Sequence, residues 1–324
     1  MSKTIVIALG GNAIVQPGQK GTFAEQIANL RMSCRQIAEI IRRGHRVVLT
    51  HGNGPQVGNI LIQNEAARDQ VPPMPLDVLG AESQGEIGYL LQRELQQELR
   101  QRGINTSVVS LVTQVVVDPN DPAFQDPTKP VGPFYKEREA LSLMADGGAP
   151  MKEDAGRGWR RVVPSPLPQR IMELEVIRNL TRSGTVVIAC GGGGIPVFET
   201  EDELRGVEAV IDKDLAAQKL ATALGADLLV ILTDVPQVCL NYGTPQQRSL
   251  SAISVAEASQ YLAEGHFPAG SMRAKVEGAI QFVAGGGQAG IITSLDAAVA
   301  AVEGRAGTYI TEGGMLAPVS EAGD

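Results

Sequence analysis

Thr4-Ile-Val-Ile-Ala-Leu-Gly-Gly-Asn12 is the stretch from which the fold can be read. An apolar run without alternation fits a strand buried on both faces, as in a parallel sheet covered by helices. The glycines behind it let the chain turn sharply at the strand's C-terminal end. A helix is expected next, from about Thr22 to Arg43, with its apolar residues at helical spacing and Gly44 placed to end it. The unit then recurs: Arg46-Val-Val-Leu-Thr50 reads as a second strand, His51-Gly-Asn-Gly54 as a second glycine turn, and a helical stretch with Val57, Ile60 and Leu61 follows. A long helix near Val78 to Arg102 leads into a strand from Ser107 to Val117. Thr185 to Cys190 ends in four glycines, Gly191 to Gly194, and Asp227 to Thr233 and Gly290 to Thr293 are further buried-type strands. This alternation predicts an α/β fold, a three-layer αβα sandwich around a mostly parallel central sheet.

The rhythm breaks once. Nine of the nineteen prolines fall between Asp118 and Arg170. A long irregular insertion in a compact chain is usually a lid, a binding loop or a disordered segment, and Phe124, Phe134, Tyr135 and Trp159 argue against disorder. The expectation is a single domain over 1–324 with a small protruding lid subdomain, 118–170, inserted within it.

Composition narrows the function classes. The 324 residues are 43% hydrophobic, enough for a sizeable core. Lys and Arg number 28 against 36 Asp and Glu, a net charge of -8, so a general nucleic-acid binder is not expected and any bound anion must be held locally. Cys34, Cys190 and Cys239 form neither a CxxC pair nor a zinc-type cluster, which suits a reducing cytoplasm. The first apolar run is shorter than a signal-peptide core and no stretch reaches membrane-spanning length, so a soluble, unprocessed protein without a membrane partner is expected.

Glycine turns after parallel strands bring backbone N–H groups to the sheet edge where α/β proteins bind ligands, and they suit anions. Gly10-Gly11-Asn12 alone is equally well a tight turn. With Gly52-Asn53-Gly54 and Gly191 to Gly194 behind other strands, close approach of a ligand becomes the better reading. Neither a Walker A loop nor a dinucleotide-binding glycine motif occurs. Asp212-Lys213-Asp214 lies at a helix start, where Asp212 suits an N-cap and Asp214 the first turn. Capping alone explains it as well as chemistry does. Lys275, on a helix with Met272, Val276, Ala279 and Ile280 as its apolar stripe, and Lys129, in a loop, are by spacing ordinary solvated lysines.

These residues lie in motifs that closely resemble the carbamate kinases of the amino-acid kinase superfamily. The motifs are Ala8-Leu-Gly-Gly-Asn-Ala13, Thr50-His-Gly-Asn-Gly-Pro-Gln-Val-Gly-Asn59, Val112-Thr-Gln-Val-Val-Val-Asp-Pro119 and Pro127-Thr-Lys-Pro130. Lys152-Glu-Asp-Ala-Gly-Arg-Gly-Trp-Arg160, Val162-Val-Pro-Ser-Pro166, Cys190-Gly-Gly-Gly-Gly-Ile-Pro-Val197 and Gly206-Val-Glu-Ala-Val-Ile-Asp-Lys-Asp214 continue the match, which runs to about residue 295. The resemblance implies an amino-acid kinase fold and reversible phosphoryl transfer between carbamoyl phosphate and ADP, giving ATP and carbamate, as at the end of arginine catabolism. It assigns Gly10, Gly11, Asn12, Gly52, Asn53 and Gly54 to the carbamate and γ-phosphate end. Lys213 would stabilise the transferring phosphoryl group, Lys275 would contact the nucleotide phosphates, Asp214 would orient both, and Lys129 would reach in from the lid. Gly191, Gly192, Asp234 and Tyr242 would lie with the nucleotide. Two departures, Thr233-Asp234-Val235 for Thr-Gly-Val and Ala269-Gly270-Ser271-Met272 for Pro-Gly-Ser-Met, touch the nucleotide pocket and not the lysines. Mg²⁺ is expected to arrive with ATP or ADP, since no carboxylate cluster calls for a dedicated metal site. A homodimer is implied by resemblance to dimeric relatives. The competing readings are another kinase of the superfamily, acting on a carboxylate or a nucleoside monophosphate, and a non-catalytic anion sensor. The lid motifs argue against the first and the presence of all three lysines against the second.

Overall fold

The computed structural model describes residues 2–145, 147–154, 156–267 and 271–314. Its strands, in chain order, are β1 (Thr4–Leu9), β2 (Arg46–His51), β3 (Val108–Ser110), β4 (Gln114–Val117), β5 (Lys129–Tyr135), β6 (Met151–Glu153), β7 (Trp159–Val163) and β8 (Pro168–Ile171). They continue with β9 (Val186–Ile188), β10 (Ile195–Glu199), β11 (Leu204–Gly206), β12 (Leu228–Thr233), β13 (Cys239–Leu240), β14 (Arg248–Ser249), β15 (Ala252–Ser254), β16 (Ala289–Ser294) and β17 (Thr308–Thr311). The helices are α1 (Phe23–Arg42), α2 (Gly54–Ala66), α3 (Leu76–Gln101), α4 (Glu137–Ala145), α5 (Leu174–Arg182), α6 (Lys213–Leu224), α7 (Val255–Ala263), α8 (Ser271–Ala284) and α9 (Ala298–Val302).

Eight strands form the main sheet in the order β15-β17-β16-β12-β1-β2-β9-β3, parallel throughout except where β17 meets β16. β1 lies inside, paired with β12 on one side and β2 on the other. Strand geometry sends successive side chains to opposite faces. Ile5, Ile7 and Leu9 accordingly join the layer that contains α1 and α3, while Val6 and Ala8 join the layer that contains α6 and α8. All five are at most 1% exposed, which is why this stretch shows no polar alternation. The three-layer αβα arrangement expected from the sequence is the one observed.

Helix α1 starts where the sequence places it. Thr22 is the N-cap, and its side chain and that of Glu25 close a capping box. The expected strand from Ser107 to Val117 divides in two. β3 ends the main sheet, whereas β4 pairs with β10 and β8 in a separate four-stranded sheet, β11-β10-β4-β8. The break falls at Thr113, whose backbone N–H is taken by Gln84 Oε1 at 2.8 Å while its C=O, also reached by Gln84 Nε2 at 3.2 Å, accepts from Ile195 N–H of β10 at 2.9 Å and so opens the second sheet. Between Asp118 and Arg170, β5, β7 and β6 make a three-stranded antiparallel sheet with α4 against it. Arg157 and Arg160 stack on the Phe134 ring at 5.1 and 5.0 Å. β5 packs on α2, where Gly58 and Gly132 let the two backbones approach.

Candidate active site

The strand order β12-β1-β2-β9 puts four strand ends side by side on one edge of the sheet. The turns that leave them are tied together by backbone bonds. Gly10 N–H donates to Leu232 C=O and Gly52 N–H donates to Leu9 C=O, each at 3.0 Å. Glycine is needed for this closeness: a Cβ on Gly10 would lie 2.8 Å from the Leu232 carbonyl oxygen, and one on Gly52 would lie 3.3 Å from Gly11 N and 3.2 Å from Lys213 Cδ. Gly11–Ala13 forms a short 3₁₀ turn at the end of β1.

Lys213 begins α6, and Asp212 caps that helix by accepting from Asp214 N–H at 2.9 Å. Capping and charge pairing turn out to coexist. Asp214, 2% exposed, accepts from Lys213 Nζ through Oδ1 at 2.6 Å and from Lys275 Nζ through Oδ2 at 3.1 Å. Lys129, on β5, donates to Asp212 Oδ2 at 2.7 Å. Three lysines and two aspartates from distant stretches therefore form one connected set. Burial pushes the Asp212 carboxyl up, but Lys129 and the capping bond outweigh it and hold the group below its ordinary range. At Lys275, 4% exposed, burial lowers the pKa while Asp214 opposes the shift.

Beside this set opens a cleft of about 780 Å³, lined among others by Gly10, Gly11, Asn12, Lys213, Asp234 and Lys275. Further lining comes from Met32, Arg35 and Gln36 of α1, from Ser294 at the end of β16 and from Asp296 just beyond it, none of which the sequence marked as a site residue. The other expected site residues lie elsewhere. Asn53 is the N-cap residue of α2 and Gly54 its first residue. Gly191 and Gly192 are buried beneath the second glycine turn and do not line the cleft: a Cβ on Gly191 would lie 2.4 Å from His51 Nε2, and one on Gly192 2.2 Å from Asn53 Nδ2. Cys190, just before them, takes a left-handed conformation at φ 52°, uncommon for a residue with a side chain. Tyr242 is 69% exposed on the turn between β13 and β14 and does not line the cleft. Ala269 and Gly270 lie outside the described residues.

His51 is 1% exposed, and burial lowers its pKa to about 4, so the ring is neutral near pH 7; its Nδ1–H donates to Gly52 C=O at 3.1 Å. Among the described residues, no group of three or more His, Cys, Asp or Glu side chains is placed to hold a metal ion. No helix among them is long and apolar enough to cross a membrane.

The Amino acid kinase family matches the chain over residues 3–294. The carbamate kinase of Pyrococcus horikoshii is 56% identical over 313 residues, which cover 96% of this chain and all of that protein. That of Clostridium perfringens is 50% identical over 95% of this chain and 99% of its own length. The solved structure of the carbamate kinase from Giardia lamblia bound to AMP-PNP is 48% identical and superposes with a TM-score of 0.90, covering 96% of this chain and 99% of that one. Identity at this level over nearly the whole length, on the same layered fold, makes this chain a member of the amino acid kinase family and, within it, of the carbamate kinases.

Proposed function

We propose that this chain catalyses reversible phosphoryl transfer between carbamoyl phosphate and ADP, giving ATP and carbamate. The observation that carries the reading is the lysine–aspartate set at the glycine edge: Lys213 and Lys275 share Asp214, and Lys129 reaches Asp212 beside them. Carbamate attacks through an oxygen that is already anionic, so the step needs no general base, and a His51 that stays neutral suits that chemistry. The obstacle is charge. Two unit like charges 4 Å apart repel by about 4 kcal/mol at an effective dielectric near 20. Lys213 neutralises the transferring phosphoryl group, Lys275 faces the nucleotide phosphates along the same cleft, and Asp214 keeps both ammonium groups aimed. The N–H groups of Gly10 to Asn12 and Gly52 to Gly54 bind the carbamoyl end. Gly191 and Gly192 act from beneath those turns, while Asp234 and Tyr242 belong to the nucleotide side. The segment 118–170 works as a lid that carries Lys129 to the site.

Mg²⁺ arrives with the nucleotide, and it supplies charge neutralisation on the phosphates. Asp234 and Asp296 line the cleft and, among the described residues, pair with no lysine, so they are the protein oxygens that would suit it. The chain works as a homodimer in the cytoplasm, at the ATP-forming end of arginine catabolism. Three free cysteines fit that compartment, and recovery from a membrane or secreted fraction would contradict it.

The direct test mixes purified protein with ADP, Mg²⁺ and carbamoyl phosphate and measures ATP. The parent should form it, and Lys213→Ala should be slower by roughly a hundred- to a thousand-fold, with Lys129→Ala also impaired. A parent that makes no ATP ends this assignment. Equal rates for parent and Lys213→Ala remove Lys213 from the mechanism.

A further inference from the structure

Helix α3 contributes no side chain to the lining of the cleft. Two of its buried side chains nevertheless reach under the glycine turns. Ser83, 0% exposed, donates its single hydroxyl hydrogen to Gly80 C=O at 2.7 Å. Its oxygen can therefore act only as an acceptor toward a further partner, and the Asn53 Nδ2 group, 2.8 Å away, donates to it. Gln84, 3% exposed, uses its whole amide: Oε1 accepts from Thr113 N–H at 2.8 Å, and Nε2 donates to Gly191 C=O at 3.0 Å and Thr113 C=O at 3.2 Å. The turns after β2 and β9 also rest on each other, with Gly192 against the Asn53 amide and Gly191 against His51 and Gln84.

We infer that Ser83 is a positioning residue for the carbamoyl end of the site, acting through Asn53, while Gln84 holds the glycine turn after β9 on which Asn53 rests. Because the Ser83 hydrogen is committed to Gly80, the serine determines which end of the Asn53 amide faces α3. Nδ2 turns inward, and Oδ1 remains the acceptor open to a donor on the substrate, such as the amino group of carbamoyl phosphate. Without the hydroxyl the amide is free to rotate. This inference rests on the proposed reaction and on Asn53 belonging to the carbamoyl end.

Steady-state ATP formation by the full chain, with carbamoyl phosphate and ADP varied separately, tests it in the parent, Ser83→Ala, Asn53→Ala and the double variant, alongside thermal unfolding. Loss of one neutral hydrogen bond corresponds to roughly a fivefold effect. Ser83→Ala should therefore raise the KM for carbamoyl phosphate roughly fivefold, leave the KM for ADP unchanged, and add nothing on top of Asn53→Ala. A Ser83→Ala protein that only melts earlier, that raises both KM values equally, or that adds fully to Asn53→Ala overturns the inference and leaves the proposed function standing. A parent without activity overturns both. Should Ser83→Ala not fold, Ser83→Cys, of similar size and weak in hydrogen bonding, carries the same comparison.

Discussion

Asp214 shows how much one residue can organise: a carboxylate 2% exposed holds two ammonium groups that would otherwise repel each other. Removing one partner of such a buried set leaves an uncompensated charge, which costs more than the pair itself contributes. His51 solves the opposite problem by staying uncharged. Its folded-state pKa, about 4, lies below the ordinary 6.5 because burial disfavours the imidazolium. The unfolded chain therefore takes up the proton first, and stability falls as pH drops from the unfolded value toward the folded one. Between about pH 7.5 and pH 5 the parent should lose on the order of 2 kcal/mol to this group alone. Urea unfolding at the two pH values checks it: a His51→Gln protein should show a pH dependence smaller by that amount, and an undiminished dependence would assign the loss to other groups. Of these residue-level roles, the sequence revealed only candidates. Asp212 was recognisable as an N-cap because capping is local, but its bond to Lys129 was not, since nothing at Lys129 marks a partner 83 residues away.

Among the elements, the meeting of α2 and β5 links the core to the proposed lid. A Cβ on Gly58 would touch the Gly132 backbone at 3.6 Å, and Gly132 itself has φ +75° with Leu61 Cδ2 3.1 Å from where its Cβ would stand. That left-handed conformation costs a residue with a side chain about 1–2 kcal/mol, so Gly132→Ala should be less stable by about that amount in urea unfolding. An unchanged midpoint would show that the strand relaxes freely. The elements that were legible in the sequence, chiefly the central parallel strands and the helices that follow them, owe it to local signals. The apolar run of β1, the helical spacing of α1 and the glycine after it each act within a few residues. The division of the expected 107–117 strand into β3 and β4 was not legible, because it depends on Gln84, 29 residues earlier in the chain, which takes the Thr113 N–H, and on Ile195, 82 residues later, which bonds to its C=O.

Taken whole, a chain of net charge -8 gathers Lys129, Lys213 and Lys275 at one edge of its central sheet, so its overall acidity does not prevent local capture of anions. The proposed homodimer belongs to this scale: light scattering at micromolar concentration should return twice the chain mass, and a monomeric mass would refute it. By itself, the sequence determined the layer architecture and the glycine turns, since both follow from which residues must avoid water and from backbone freedom at particular positions. It also carried the family resemblance through its motifs. Tertiary structure alone decided the placement of β1 between β12 and β2, and the meeting of Lys275 with an aspartate 61 residues earlier in the chain. Long-range pairs of this kind have no local signature. They exist only because packing of the two apolar layers closes the intervening loops and holds charged groups at hydrogen-bonding distance.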